Sequence, residues 1–316
     1  MSIALLILGG LILLCVGGDL LVRGAESLAL RTGMTPLVAG LTVVAFGTSS
    51  PELFISVGAA LQDLDDVAIG NAIGSNIANL TLVLGLAAWV RPIRVESQLM
   101  KMDAPILIVC SLGLGAMLYA SGMLTRGYGT VMVIALAAYI ALSIRLGKSD
   151  GPLLEAEFRD SRHKAPAALT ACLALVAAGL VMLVYGADFF VDGAVRLARL
   201  LGISEVLISL TLVAIGTSLP ELASTLIASV KGRGDIAIGN AIGSSIFNIL
   251  AILGVTALIK PLSMGEISWI DLGVMTLTAV ILLPMLFTQR RVSRLEGAFL
   301  VACYMVYLAL IAVRAT

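Results

Sequence analysis

Charge is scarce in this sequence. Only 13% of its 316 residues are Asp, Glu, Lys or Arg, against roughly a quarter in an ordinary soluble domain, while 59% are hydrophobic. Mean hydropathy is +1.07. The net charge is +0 and no basic tract occurs, which argues against a nucleic-acid partner. Histidine occurs once, as His163 in a charged loop, so an imidazole metal centre has no raw material. Cys15, Cys110, Cys172 and Cys303 are scattered singly through apolar segments; they read as small core hydrophobes, not as a disulfide or thiolate site. The N-terminal MSIALLILGGLILLCVGG lacks a basic start and a small-x-small cleavage site, and reads as a retained first span.

What is present is a series of long apolar runs, each near the ~20 residues needed to cross a bilayer core. Ten spans are predicted, at about 2–30, 36–60, 67–90, 103–120, 126–146, 166–199, 205–230, 236–259, 269–288 and 295–313. The fold class is therefore an all-α polytopic membrane protein. The longest polar stretch, 147–165, reads as a cytoplasmic connector between halves at 1–146 and 166–316. With the N-terminus outside, inner loops and helix ends hold 15 Lys and Arg and the outer ones 5, so both termini are expected outside.

The halves repeat. Residues 41–92 align without a gap to 210–261, about half the positions being identical, with FGTSSPEL answered by IGTSLPEL and GNAIGSNIAN by GNAIGSSIFN. Asp19 pairs with Asp188 in the same register, and Gly24 with Gly193. Five spans separate equivalent helices, an odd number, so the halves run through the bilayer in opposite senses. Two inverted five-helix repeats are typical of secondary transporters, whose sites lie at the midplane where the repeats meet.

Each GTSxPE segment falls near mid-membrane. Proline removes a backbone donor and crowds the carbonyl four residues back, at Gly47 and Gly216, and freed carbonyls are tolerable there only when protein, water or an ion satisfies them. Glu52 and Glu221 then place two carboxylates at membrane depth, each costing about 2.5–3.5 kcal/mol on insertion scales. No Lys or Arg lies at comparable depth in those helices, which leaves a bound cation or protonation to neutralise them. Ser75 with Asn79, and Ser244 with Asn248, lie four residues apart on one helix face. Gly70, Gly74, Gly239 and Gly243 suit close helix approach. Carboxylates, amides, hydroxyls and carbonyls without thiolate or imidazole select hard cations, Ca²⁺ more readily than Mg²⁺.

With GTSSPE at 47–52, GTSLPE at 216–221 and the two GNAIGS segments, the chain resembles the calcium/cation antiporter superfamily, specifically its prokaryotic sodium/calcium exchanger branch. The resemblance covers essentially the whole chain. It implies a Ca²⁺ site made by Glu52, Glu221 and the Thr48 and Thr217 carbonyls. It implies flanking Na⁺ sites made by Ser49, Ser218, Ser75, Ser244 and carbonyls near Ala45 and Ala214, with Asn79 and Asn248 closing the centre. Long first and sixth helices would slide over this core. Ca²⁺ and Na⁺ would be cargo, with no cofactor and no catalysis, in a prokaryotic inner membrane. Some relatives carry Asp where this chain has Asn248, which argues against K⁺ co-transport. The proton-coupled branch usually lacks GTSxPE, which favours Na⁺ over H⁺; proton coupling and a passive channel stay open as alternatives.

Overall fold

The computed structural model describes residues 2–149, 168–201, 216–265, 267–288 and 290–314. Most of the connector, His163, Ala214 and the first half of the expected 205–230 span lie outside the described residues. Helices dominate: α1 (Ile3–Thr32), α2 (Pro36–Thr48), α3 (Ser50–Leu61), α4 (Asp65–Val90), α5 (Leu99–Ser121), α6 (Arg126–Ser149), α7 (Leu169–Leu200), α8 (Leu219–Val230), α9 (Gly234–Ile259), α10 (Trp269–Phe287) and α11 (Arg294–Arg314). Among the described residues, eight of these are long and apolar enough to cross a membrane, and the bent pair α2–α3 makes a ninth. The α8 helix, 12 residues long, occupies the second half of the remaining expected span.

Local chemistry sets the helix ends. The Ser2 hydroxyl accepts from the Leu5 amide at 3.3 Å to start α1. Gly33, at φ 72°, ends it in the left-handed conformation that glycine adopts without strain. Thr35 caps α2 by accepting from Val38 at 3.1 Å, and Pro36 follows where its missing amide costs nothing.

Burial identifies the centre. In α4 and α9, the two helices carrying GNAIGS, 72% and 78% of the most apolar window is buried, against 22–39% for the other six single spans. Glycine lets α2 lie against α9. A Cβ on Gly239 would come 2.8 Å from the Leu37 carbonyl oxygen, and one on Gly243 would come 2.6 Å from that of Leu41. Two residues of the expected small-residue face thus make backbone-to-backbone contact.

The long helices α1 and α7 pack antiparallel through glycines seven residues apart. Gly10 faces Gly186 and Phe190, Gly17 faces Gly179 and Leu183, and Gly24 faces Val176. Gly10, Gly17 and Gly24 are the repeat mates of Gly179, Gly186 and Gly193. Two antiparallel ribbons, which the sequence did not announce, join the ends of the helices. Strand β1 (Ile93–Arg94) pairs with β4 (Arg291–Val292), and β2 (Met123–Leu124) pairs with β3 (Leu262–Ser263). Repeat-equivalent cations clamp the helix ends: Arg91 donates to the Val230 carbonyl at 3.2 Å and Lys260 to that of Ala60 at 2.7 Å. Lys260 also bonds Asp63 at 2.7 Å, and this bond holds the Asp63 carboxyl below its usual range.

Gly17→Val should disrupt the α1–α7 seam, because its Cβ would sit 2.8 Å from the Gly179 oxygen. Overpacking of this kind costs about 1–3 kcal/mol, read as a lower Tm in detergent. Gly9→Ala is the control, since nothing lies within 4 Å of its Cβ position, and its Tm should not fall.

Candidate ion-binding site

The two GTSxPE segments share one backbone turn. The α2 helix ends at Thr48 and α3 begins at Ser50, with a bend of 43°. Ser49 lies at φ −85°, ψ 2°, and its repeat mate Ser218 at φ −89°, ψ 5°. The sequence reading expects a break at each proline; the structure puts Pro51 and Pro220 in the first turn of the helix that follows the turn at Ser49 and Ser218. There the missing N–H removes no internal bond. Glu52 and Glu221 consequently fall in the first turns of α3 and α8, at the end where the helix dipole favours negative charge. Sequence, break and carboxylate placement are one device used twice.

Both carboxylates are buried, at 1% and 0% exposure. The halves interlock around them. Ser49 Oγ of the first half donates to Glu221 Oε1 of the second at 3.1 Å. Thr48 Oγ1 is 3.2 Å from Asn240 Oδ1 and 3.5 Å from Ser244 Oγ, as well as 3.1 Å from the Val44 carbonyl behind it. Asn248 Nδ2 donates to Asn76 Oδ1 at 3.0 Å.

Several polar atoms in this cluster are left over. Both oxygens of Glu52, Oε2 of Glu221, both polar atoms of Asn79, Oδ1 of Asn248 and Oγ of Ser218 are buried without a hydrogen-bond partner among the described residues. An unpartnered buried polar group costs about 1–3 kcal/mol and a charged one more, so these seven atoms, all on the repeated motifs, make a candidate ligand site. All but the Asn79 amide nitrogen are oxygens, which suits a hard cation. Among the described residues no three of His, Cys, Asp and Glu gather as a metal cage; the set here is two carboxylates with neutral oxygens around them. Beside it, a cavity of about 380 Å³ runs between α3 and α7, lined by Pro51, Thr217 and Pro220 at one end and by Asp188 and Asp192 along α7.

Comparison with known proteins matches a family profile described as sodium/calcium exchanger protein to residues 2–145 and 172–313. This chain belongs to the sodium/calcium exchanger protein family. It is 33% identical over 341 residues to the sodium/calcium exchanger MaX1 of Methanosarcina acetivorans, covering 97% of each chain. A solved structure of the sodium-calcium exchanger NCX_Mj superposes with a TM-score of 0.82 at 32% identity, covering 96% of this chain and 97% of that one. At 26% identity it also matches the Ca²⁺/H⁺ antiporter ChaA of Bacillus subtilis, over 90% of this chain and 85% of the other. The family and the apolar helices make it a multi-pass membrane protein of a transporter family.

Within this exchanger fold Thr48, Ser49, Glu221 and Ser244 of the residues singled out from sequence are joined by the hydrogen bonds just described. Glu52, Ser75, Asn79, Ser218 and Asn248 are buried as well. The Ala45 carbonyl accepts from the Ser49 amide at 3.0 Å, and Thr217 borders the cavity. Ala214 falls outside the described residues. In both repeats a π-helical turn begins at the site asparagine, at Asn79 and at Asn248, a distortion often found at functional sites.

Sequence reasoning missed Asn71 and Asn240. Asn240 Nδ2 donates to Ser224 Oγ at 3.0 Å and Thr225 Oγ1 at 2.9 Å while its oxygen faces Thr48. Asn71 Nδ2 donates to Ser56 Oγ at 3.0 Å and to the Glu52 carbonyl at 3.3 Å. The signal was available, because these asparagines sit four residues before Ser75 and Ser244 and continue the same helix face. Asn240→Ala should remove a partner shared by four hydroxyls, those of Thr48, Ser224, Thr225 and Ser244, and cost about 1–3 kcal/mol. Asn71→Ala disturbs fewer partners, and differential scanning of both should give the larger loss in Tm for Asn240→Ala.

Proposed function

We propose that this protein is a secondary active antiporter that exports Ca²⁺ in exchange for Na⁺ by alternating access to the site around Glu52 and Glu221. The observation that carries this reading is the pair of buried carboxylates from equivalent positions of the two halves, joined through Ser49. The unpartnered atoms around them add to it. Ca²⁺ would take Glu52, Glu221 and the Thr48 and Thr217 carbonyls. Na⁺ ions would take sites flanked by Ser49, Ser75, Ser218 and Ser244 and the carbonyls near Ala45 and Ala214, with Asn79 and Asn248 at the centre. Two negative charges match one Ca²⁺ or are shared among Na⁺ ions, so either cargo displaces the other. That competition is what couples the two fluxes.

The topology proposed is ten spans in two inverted repeats, 1–146 and 166–316, with 147–165 as a cytoplasmic connector. The antiparallel seam of repeat-equivalent glycines on α1 and α7 supports it, as do the paired ribbons. The Lys and Arg distribution supports termini on the outer side of a prokaryotic inner membrane. Ca²⁺ and Na⁺ are cargo, and the bilayer is the surrounding partner. A second reading, Ca²⁺/H⁺ exchange, draws on the similarity to ChaA. The hydroxyls of GTSSPE and GTSLPE favour Na⁺.

Proteoliposomes test both. Ca²⁺ uptake should require Na⁺ inside the vesicles, and Glu52→Gln or Glu221→Gln should each reduce it to the level of empty vesicles. Uptake driven by a pH gradient without Na⁺ would select the second reading, and uptake unaffected by either substitution would defeat both.

A further inference from the structure

The inverted repeats provide an internal comparison between the two faces of the protein, and those faces are not alike. On one face, α1 is closed onto α8. A Cβ on Gly18 would lie 2.5 Å from Ile227 Cδ1 and 3.4 Å from the Ala223 oxygen. On the other face the equivalent helices, α7 and α3, stand apart around the cavity of about 380 Å³. Ala187, the repeat mate of Gly18, lines it, and so does Ile55.

Charge follows the same division. Asp19 of α1 pairs with Lys231 in the α8–α9 turn, and with Arg23 one turn along its own helix at 2.8 Å. Glu26 of α1 takes Arg233 from the same turn through two contacts, at 2.5 and 3.1 Å. Both acids are partly buried, at 26% and 14% side-chain exposure, so solvent weakens these pairs less than fully exposed ones. The repeat mates of Lys231 and Arg233 are Gln62 and Leu64, and those of Arg23 and Glu26 are Asp192 and Val195. None of these can reproduce the linkage. Asp192 instead pairs with Arg196 on its own helix at 2.7 Å, and Asp188, the mate of Asp19, faces the open cavity.

We propose that Lys231 and Arg233 form a latch that fastens α1 to the α8–α9 turn. It holds the pathway on that face shut while the α3–α7 face gives access to the Glu52–Glu221 site. The inference rests on the alternating-access reading above and adds a chemical asymmetry to it. One gate is closed by ion pairs; its counterpart has Gln62 and Leu64 where those cations would be. The resting protein therefore favours access from the face of Asp188 and Asp192. Breaking the ion pairs becomes part of every turn to the other face.

Hydrogen–deuterium exchange on the full-length protein in nanodiscs reads the latch without any transport assay. Lys231→Glu with Arg233→Glu should raise exchange several-fold in the segments around 19–32 and 231–236 and lower it in peptides of α3 and α7 that line the cavity. Swapping charges, Asp19→Lys with Lys231→Asp and Glu26→Arg with Arg233→Glu, should restore the original pattern. The milder Lys231→Gln should give a change of the same sign if the reversed variant does not yield monodisperse protein. Exchange unchanged in Lys231→Gln and in the reversed variant, or a swap that fails to restore the pattern, overturns the latch. Vesicle flux with Na⁺ and pH gradients tests the antiport reading separately, so a protein that exchanges ions normally but shows no change in deuterium uptake refutes the latch alone.

Discussion

Two carboxylates buried in the first turns of α3 and α8 are the constraint that orders the rest of this structure. Left alone, Glu52 and Glu221 would each cost about 2.5–3.5 kcal/mol in the membrane interior, a large share of a typical net stability of about 5–15 kcal/mol. The chain lowers that cost with its own geometry before any cation arrives. Both acids are placed in first turns, where the helix dipole favours their charge, and Ser49 donates to Glu221. It stops short of satisfying them. The remaining buried oxygens are held open by Asn240, Asn71 and the hydroxyls behind them, which spend their own hydrogen bonds on the framework.

That framework explains the glycines. For α2 to deliver Thr48 and Ser49 next to Glu221, its backbone must lie against α9, and Gly239 and Gly243 permit the approach. For α1 and α7 to cross the same core as a pair, their glycines must meet at seven-residue intervals. The asymmetry between the Lys231 face and the Asp188 face then sets which face the resting protein opens.

Much of this was legible in the sequence because it was written twice. The recurrence of GTSxPE and GNAIGS fixed the site helices, and apolar length fixed most spans to within a few residues, as with 269–288 against Trp269–Phe287. What escaped notice had no such signal, or had it at a position left unread. Two-residue ribbons such as Ile93–Arg94 are too short to show alternation. The π-helical turns at Asn79 and Asn248 come from tertiary packing, which no propensity reports. Asn76 bonds Asn248, yet its repeat mate is Ser245, so comparing the halves could not flag it. Pro51 reads as a helix breaker in the middle of an apolar run, and the chain does break beside it, between Thr48 and Ser50. That the proline then sits in the first turn of the following helix is a finer detail, since proline also suits a helix start.

The central claim is that both halves jointly ligate one cation between Glu52 and Glu221. Anomalous diffraction from crystals of this protein soaked in Sr²⁺ as a Ca²⁺ surrogate tests it most directly. The account predicts a peak within coordination distance of a carboxylate oxygen from each of the two glutamates. A peak held by one of them alone, or anomalous density elsewhere with none at this site, would contradict it.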